Sequence, residues 1–363
     1  MSMKLEEFAR ESRATHKGDK SGVPIVGLEH LIPQEIKFSG YDVDTENTFT
    51  KTFKKGQILF GRRRAYLKKA AIADFDGICS GDITVIEAIP GKVDPLLLPF
   101  IIQNDKFFDY AVSRSAGGLS PRVKWEHLKD YEFDLPPIEE QRILADKLWA
   151  AYRLKESYKK LLTATQEMVK SQFIEMFGNP VTNTKGWKTA KIKDVAPEMP
   201  SKEQLSGKIW LLNLDMIESN TGRIIEKVYE DVENALSVQS FDEGNVLFSK
   251  LRPYLNKVVI PDEPGMATTE LVPLRPEPSK LHKVFLSHLL RGNQFVNYAN
   301  DIAGGTKMPR MPLTELRNFD CILPPMDKQL EFVFIAEQVD KSEFELRKSI
   351  EAIDQVIKSL INN

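Results

Sequence analysis

The side chains of this chain that could do chemistry are basic, and they occur as two matching sets. One set follows an apolar run that ends at Phe60, and the other follows a run that ends at Phe248. Lysine and arginine neutralise phosphates, and arginine also reads guanine edges in the major groove. We therefore predict that both sets contact DNA. Their members are Arg62, Arg63, Arg64 and Lys68 in the first half and Lys250 and Arg252 in the second.

Two glycine-containing loops carry further basic residues, at positions 116–124 and 303–310. Glycine lets a backbone come close to a phosphate, because it has no side chain that obstructs the approach. We predict that four basic residues of these loops also contact DNA. They are Arg122, Lys124, Lys307 and Arg310.

A structural role is the alternative for the Arg-x-Tyr-Leu element that each basic set contains. In that interpretation Tyr66 and Tyr254 are packed, while Arg64 and Arg252 pair with nearby acids. The sequence leaves both roles open for these two arginines. The residues just before Arg64 have no identical counterparts in the second half, which favours DNA contact for them.

Motifs for catalysis and metal binding are missing. The sequence has no G-x-x-x-x-G-K-[ST] loop for a nucleoside triphosphate and no G-x-G-x-x-G turn for a dinucleotide or S-adenosylmethionine. The five histidines have neither metal-ligand spacing nor matching positions in the two halves, so we expect them on the surface. They are His16, His30, His127, His282 and His288. We predict no catalytic site, no metal and no cofactor in this chain.

The basic sets belong to a longer internal repeat. Residues 56–69, GQILFGRRRAYLKK, return at 244–257 as GNVLFSKLRPYLNK, with seven of the fourteen positions identical at an offset of 188. The same offset relates the Pro-Arg pair at 121–122 to the one at 309–310 and Leu-Pro-Pro at 135–137 to that at 323–325. A duplicated unit builds a molecule with a pseudo-two-fold axis and two related surfaces. Because the loop side chains differ between the copies, the target is expected to have two unlike halves.

Each half is predicted to be a β-rich globular part followed by a long helix. Short runs rich in Val, Ile and Phe, broken by Gly, Pro and Asp, predict strands. They lie at 23–28, 57–60, 69–73 and 83–88 in the first half and at 210–214, 245–248, 257–260 and 270–274 in the second. Helical spacing predicts helices over 96–109 and 283–298. The fold class is therefore α+β, a mixed α/β architecture in tandem repeat.

A Leu-Pro-Pro sequence closes each globular part, and a helix can start only after it because proline disfavours helix in the preceding residue. The predicted globular domains are residues 1–136 and 179–324, and the long helices are residues 137–178 and 325–363. Heptad spacing predicts that these helices pair with each other, with ordinary core packing as the alternative. The seam residues are Leu144, Leu148, Tyr158, Leu162, Val169, Leu346, Ile350, Ile353, Ile357 and Leu360. Polar residues in the same register, such as Lys155 and Glu343, either set the register or face a partner helix.

Composition and charge restrict the class of protein. At 363 residues and 42% hydrophobic content, the chain can build two globular cores. It has no apolar run of about eighteen residues and no secretory leader, so we expect a soluble, cytoplasmic protein without membrane contact. The net charge is only −2, but residues 51–69 contain eight lysines and arginines and no acid. A chain polarised in this way can bind a polyanion on one face and a protein on another.

With these motifs, the chain resembles the specificity subunit of type I restriction–modification systems. The resemblance covers essentially the whole chain and rests on three duplicated features: G-x-(I/V)-L-F-x(3)-R-x-Y-L-x-K, a glycine loop before Pro-Arg, and L-P-P-x(3)-Q opening a long helix. It implies two target-recognition domains that each read half of a split site in double-stranded DNA. It also implies that the two helices form an antiparallel coiled coil that sets the unread spacer.

The resemblance further implies partner subunits that carry the chemistry. Two modification subunits would methylate adenine at N6 from S-adenosylmethionine, and restriction subunits would translocate and cleave DNA with ATP and Mg. This chain would then be a non-catalytic component. Two alternatives remain at this point: a stand-alone two-domain DNA-binding protein, and a coiled-coil scaffold that does not bind nucleic acid.

Overall fold

The computed structural model describes residues 2–202, 205–231 and 238–362. The chain divides into two compact units. Unit 1 comprises Met1–Tyr158 and Ser349–Asn363, and unit 2 comprises Lys159–Lys348. Each unit therefore contains one globular part together with a segment of each long helix. The outer limits 1 and 363 of the predicted domains lie outside the described residues.

Within its described residues, unit 1 contains nine short strands and four short helices. The strands are β1 Ser2–Lys4, β2 Ala9–Glu11, β3 Ile25–Val26, β4 Lys51–Phe53, β5 Ile58–Gly61, β6 Ala70–Ile72, β7 Gly77–Cys79, β8 Ile83–Ala88 and β9 Glu132–Asp134. The helices are α1 Leu5–Phe8, α2 Leu98–Ile102, α3 Asp105–Ser113 and α4 Trp125–Leu128, and the long helix α5 spans Ile138–Phe177. A four-stranded sheet has the order β2-β8-β5-β6, a three-stranded sheet has the order β3-β7-β4, and β1 pairs with β9.

Unit 2 repeats this plan. Its strands are β10 Thr189–Lys191, β11 Lys208–Leu212, β12 Val228–Asp231, β13 Val238–Phe241, β14 Val246–Ser249, β15 Val258–Val259, β16 Gly265–Thr268, β17 Leu271–Leu274 and β18 Asp320–Ile322. Its helices are α6 Ile192–Val195, α7 Lys283–Arg291, α8 Asn293–Asp301 and α9 Leu313–Asn318, and the long helix α10 spans Met326–Asn362. The sheets have the orders β15-β14-β17 and β12-β11-β16-β13, and β10 pairs with β18.

The strand registers of the two units match at the offset seen in the sequence. Phe60 on β5 lies opposite Ala70 and Thr84, and Phe248 on β14 lies opposite Val258 and Val272. Every residue of β5 and of β14 is buried, as expected for central strands rich in Leu, Ile, Val and Phe. The two basic sets therefore start from equivalent ends of equivalent strands.

The predicted helices over 96–109 and 283–298 are each wrong as single helices, because each is two helices. In unit 1 the break lies at Asn104, whose side chain accepts a 3.0 Å hydrogen bond from the backbone N–H of Lys106 and so caps α3. In unit 2 the break lies at Gly292, which has an extended backbone between α7 and α8. At most strand ends, the predicted bound differs from the observed bound by one or two residues.

The long helices pack against each other in both units, and they run antiparallel. In unit 1, Lys155 on α5 forms a 2.7 Å ion pair with Asp354 on α10. In unit 2, Gln166 on α5 donates a 3.1 Å hydrogen bond to Glu343 on α10. Both polar seam residues therefore have partners across the pair. The ten residues predicted for the seam are all buried or half-buried.

A buried glutamine fixes the start of each long helix. Gln141 donates to the Pro136 carbonyl at 2.9 Å and accepts from the backbone N–H of Asp94 at 2.8 Å. Gln329 makes the equivalent bonds to the Pro324 carbonyl and the His282 N–H, at 2.9 Å each. The glutamine of L-P-P-x(3)-Q thus ties the helix to the globular part of its own unit.

Candidate nucleic-acid interface

In each unit the basic set forms a strained turn at the end of the central strand. Arg64 and Lys68 have φ angles of 54° and 51°, and Arg252 and Asn256 have 49° and 48°. Residues with a side chain rarely adopt this left-handed conformation, which costs on the order of 1–3 kcal/mol. Its presence at four equivalent positions shows that the surroundings impose the same backbone on both turns.

The glycine loops supply that constraint. The backbone N–H of Arg64 donates to the Pro121 carbonyl at 2.8 Å, and that of Arg252 donates to the Pro309 carbonyl at 2.7 Å. Each basic turn is therefore held against the loop that follows it in the same unit. The sequence predicted both elements as DNA-contacting, and in each unit the structure places them side by side.

Each loop is a tight hairpin, which we call the glycine hairpin: residues 116–122 in unit 1 and 304–310 in unit 2. Ala116 and Arg122 exchange two backbone hydrogen bonds of 2.9 Å, and Gly304 and Arg310 exchange bonds of 3.0 and 2.9 Å. Gly117 and its counterpart in unit 2 have φ angles of 113° and 101°, which only glycine adopts readily. The repeated glycine therefore closes the hairpin, rather than only opening space for a phosphate.

In each unit an ion pair between the last arginine of the hairpin and a carboxylate outside it supports the hairpin. Arg122 contacts both oxygens of Asp82, at 2.7 and 3.3 Å, and Arg310 contacts Glu270 at 2.9 and 3.1 Å. The hydrogen bond from Arg122 holds the pKa of the Asp82 carboxyl below its ordinary value. Neither acid was singled out from the sequence, although the two are related by the same offset of 188 and could have been found through it.

Four of the ten predicted DNA contacts are thus engaged with acids of their own unit. Besides Arg122 and Arg310, Arg63 lies 3.4 Å from Asp82, and Lys68 lies 2.6 Å from Asp105. These side chains support the turn and the hairpin in the structure. Their charge is partly neutralised, so each attracts a phosphate less strongly than an unpaired cation does.

The other predicted contacts divide into exposed and half-buried groups. Arg64, Lys124 and Lys307 are exposed, and within the described residues none has an ion-pair partner. Lys250, Arg62 and Arg252 are half-buried. In Arg62 and Arg252, the Nε atom is buried without a hydrogen-bond partner among the described residues.

The structural alternative for the Arg-x-Tyr-Leu element does not match these positions. Tyr66 and Tyr254 are 52% and 50% exposed, so neither ring is packed into a core. No acid pairs with Arg64 or Arg252 in the described part of the chain. Both elements instead expose the tyrosine, and in unit 1 Arg64 is exposed as well, whereas Arg252 in unit 2 is half-buried. An exposed tyrosine and an exposed arginine suit contact with a nucleic acid.

Much of the basic stretch at 51–69 is occupied within unit 1. The ammonium group of Lys51 donates to the Ile83 carbonyl at 2.7 Å, and burial lowers the pKa of this lysine. Lys69 donates to the Leu28 carbonyl at 2.8 Å, and Lys54 pairs with Asp76 at 3.0 Å. The stretch is therefore less of a free cationic surface than its composition suggests.

The expectation that all five histidines lie on the surface is wrong, because four are half-buried and only His127 is exposed. Burial lowers the pKa of the His288 imidazole well below its usual range. His30 lies near Glu29 and Asp42, and one ligand atom from each of the three lies within 4.8 Å of the others. The Nδ1 atom of His30 already accepts from the backbone N–H of Gly27, so only Nε2 could face a metal ion.

Comparison with known proteins assigns a family to this fold. A family model described as the type I restriction modification DNA specificity domain matches residues 8–164 and 184–355. These two matches cover most of the chain. The chain belongs to that family. It is accordingly a DNA sequence-specificity component without catalysis of its own, and the family implies no catalytic cofactor on this chain.

Individual relatives are distant but consistent. The chain is 23% identical over 288 residues to the type I restriction enzyme EcoDI specificity subunit of Escherichia coli, and this alignment covers 68% of this chain and 64% of that protein. It is 22% identical over 313 residues to the type I restriction enzyme MjaVIII specificity subunit of Methanocaldococcus jannaschii, and this alignment covers 79% of this chain and 73% of the relative. The alignment thus spans somewhat less than two thirds of the E. coli protein.

Solved structures share the fold. The type I restriction-modification system S subunit from M. genitalium has a TM-score of 0.56 at 13% identity, with 100% of this chain and 95% of that chain covered. A chain from a structure of the type I R-M system has a TM-score of 0.56 at 17% identity, with 99% and 96% covered. None of the helices in the described part of the chain is long and apolar enough to cross a membrane.

Proposed function

We propose that units 1 and 2 each read one half of a bipartite, asymmetric site in double-stranded DNA. The supporting observation is a shared frame that carries unlike side chains. The strand registers, left-handed turns, glycine hairpins and arginine–carboxylate pairs repeat, whereas Arg63 is replaced by Leu251 and Leu119 by Lys307. A symmetric frame with two different contact surfaces suits two different half-sites.

In this proposal the basic turn and the glycine hairpin of each unit enter the major groove together. The exposed cations Arg64, Lys124 and Lys307 contact phosphates, which position the unit without reading sequence. The braced arginines hold the loops, and the remaining loop side chains read base edges. The target-recognition domains are residues 1–136 and 179–324, and the helices at 137–178 and 325–363 set the length of the unread spacer.

Partner subunits supply the chemistry. Two modification subunits methylate adenine with S-adenosylmethionine, and restriction subunits cleave with ATP and Mg, all in the cytoplasm. The docking surfaces are the outer faces of the long helices, where Leu154, Leu161, Phe334 and Phe344 are about half to two thirds exposed (48%, 51%, 65% and 65%).

Methylome sequencing of the host with and without the gene tests this function. The expected result is a set of methylated adenines that depends on the gene and lies in a two-part motif with a spacer of fixed length. A gene-dependent motif that is a single continuous sequence would contradict the assignment of one half-site to each unit. Failure of the chain to co-purify with a methyltransferase would favour a stand-alone DNA-binding protein.

A further inference from the structure

Leu119, at the tip of the glycine hairpin in unit 1, is 98% exposed. The next most exposed large hydrophobic residues in the described part of the chain are 65% exposed, and both lie on α10. Isolated exposed apolar side chains are common on protein surfaces, so what distinguishes Leu119 is its place at the tip of a hairpin that lies in the proposed interface.

The hairpin that carries this side chain is held in place by its neighbours. The residue that follows it, Ser120, accepts a 2.6 Å hydrogen bond from the Nε of Arg63, and Pro121 is bonded to the backbone of Arg64. Arg122 closes the hairpin and pairs with Asp82. Three consecutive residues after the leucine are therefore anchored to the end of β5, and the leucine projects from a braced support.

The surroundings are cationic and offer no second large apolar group on the same hairpin. Residues 114–124 and 61–69 together contain eight basic side chains and no acid. Three of the eight pair with Asp82 or Asp105, so the net charge around the hairpin stays positive but is reduced. The residues beside Leu119 on the hairpin are Gly118 and Ser120, and Val123 is buried. On the adjoining basic turn, Tyr66 and Leu67 are also exposed, at 52% and 40%. Apolar side chains among cations suit an anionic surface that carries isolated methyl groups. The major groove of DNA is such a surface, because thymine presents its C5 methyl there.

The internal repeat shows that this position can vary while the frame stays the same. Its counterpart in unit 2 is Lys307, on a hairpin with the same backbone pairing and the same kind of brace, from Arg310 to Glu270. A leucine and a lysine therefore occupy one structural position in a single chain. Residues that hold the frame are kept between the copies, whereas residues that contact the target, at a base or at a phosphate, differ.

We infer that Leu119 packs against the C5 methyl of a thymine, or of another 5-methylpyrimidine, in the half-site of unit 1. This inference rests on the proposed function, since it requires that unit 1 reads DNA. It adds that the side chain at the hairpin tip sets the preference at one base pair of that half-site.

The first test exchanges the tip residues in the full chain, expressed with its partner subunits. Leu119→Ala and Leu119→Lys are both expected to relax the base preference at one position of one half-site, with the other half-site unchanged, because the lysine at this position in unit 2 is assigned to a phosphate. The lysine variant should fold, because the hairpin of unit 2 already carries lysine at this position. Ile225→Ala removes a 52% exposed isoleucine that lies outside the basic turns, the glycine hairpins and the long helices, and serves as a control that leaves both half-sites unchanged.

The second test removes the methyl group from the DNA. In binding assays with the assembled complex, each thymine of the half-site is replaced in turn by uracil, which lacks only the C5 methyl. At one position the wild type is expected to lose about three- to fourfold in affinity, the effect of one buried methyl group. Leu119→Ala is expected to show no such loss.

Several outcomes would overturn the inference. Equal losses in the wild type and in Leu119→Ala, or a half-site of unit 1 without thymine or 5-methylpyrimidine, would show that the leucine reads no methyl group. An unchanged motif in both tip variants would show that Leu119 does not read a base. The proposed function would still stand in that case, because it depends on the two-part motif of the wild type. Loss of assembly without a change of motif would point to a protein partner instead.

Discussion

Removing the unpaired cations should weaken the dependence of DNA binding on salt. Arg64, Lys124 and Lys307 are exposed and lack ion-pair partners within the described residues, so each is expected to contact one phosphate. Each phosphate contact contributes about 0.9 to the slope of log affinity against log salt concentration. The triple alanine variant should therefore have a slope smaller by about 2.7. Between 50 and 200 mM salt, the ratio of the wild-type affinity to the variant affinity should fall by about 40-fold.

The measurement is fluorescence anisotropy of a labelled duplex with the assembled complex at several salt concentrations. A control triple variant replaces Lys92, Lys106 and Lys188 by alanine, since these are exposed lysines outside the basic turns and glycine hairpins. It removes the same charge and should keep the wild-type slope. A wild-type slope in the first variant, or an equal decrease in both, would refute the assignment of these three cations to phosphates.

Three other perturbations test the frame. The pKa of Asp82 is lowered by Arg122, so the pair stabilises unit 1 at neutral pH and this contribution is lost as pH falls through the folded-state pKa. Asp82→Asn should thus lower the melting temperature at pH 7, and this deficit should shrink as pH falls below the ordinary carboxyl value of 3.8; a deficit that is the same at every pH would contradict this. Lys155→Ala should cost about 2–3 kcal/mol, read from the urea midpoint, because it leaves Asp354 on α10 without its ion-pair partner on α5, and an unchanged midpoint would remove that role. Deleting residues 160–163 and 346–349 together shortens each helix by roughly 6 Å. The spacer in the methylome should shorten by at most about two base pairs with both half-sites kept, and an unchanged spacer would contradict its control by the helices.

The fold was largely predictable because the repeat and the prolines are strong signals. The offset located equivalent strands, and Leu-Pro-Pro located the starts of the long helices, which begin at Ile138 and Met326. The breaks at Asn104 and Gly292 were missed, since apolar spacing continues through them and only a cap or an extended glycine interrupts the helix. Propensity and spacing average over a window and do not detect such single-residue interruptions.

The candidate interface was predictable in its location but not in its internal pairing. Charge alone could not separate Arg122, which braces a hairpin on Asp82, from Lys124, which is free of ion pairs among the described residues. That distinction depends on two residues forty positions apart meeting through strand pairing. Burial of Lys51 likewise follows from the sheet rather than from its basic neighbours. The exposure of Leu119 could not be predicted from the sequence, because an apolar residue in a glycine loop can face either the core or the solvent.

The central claim is that each unit reads its own half-site, and a domain exchange tests it most directly. Residues 1–136 are replaced by the corresponding domain of a relative that has a different half-site, and the methylome is sequenced beside that of the wild type. We predict that one half of the motif changes to that of the donor, while the other half and the spacer stay the same. A change in both halves, or in neither, would contradict the assignment of one half-site to each unit.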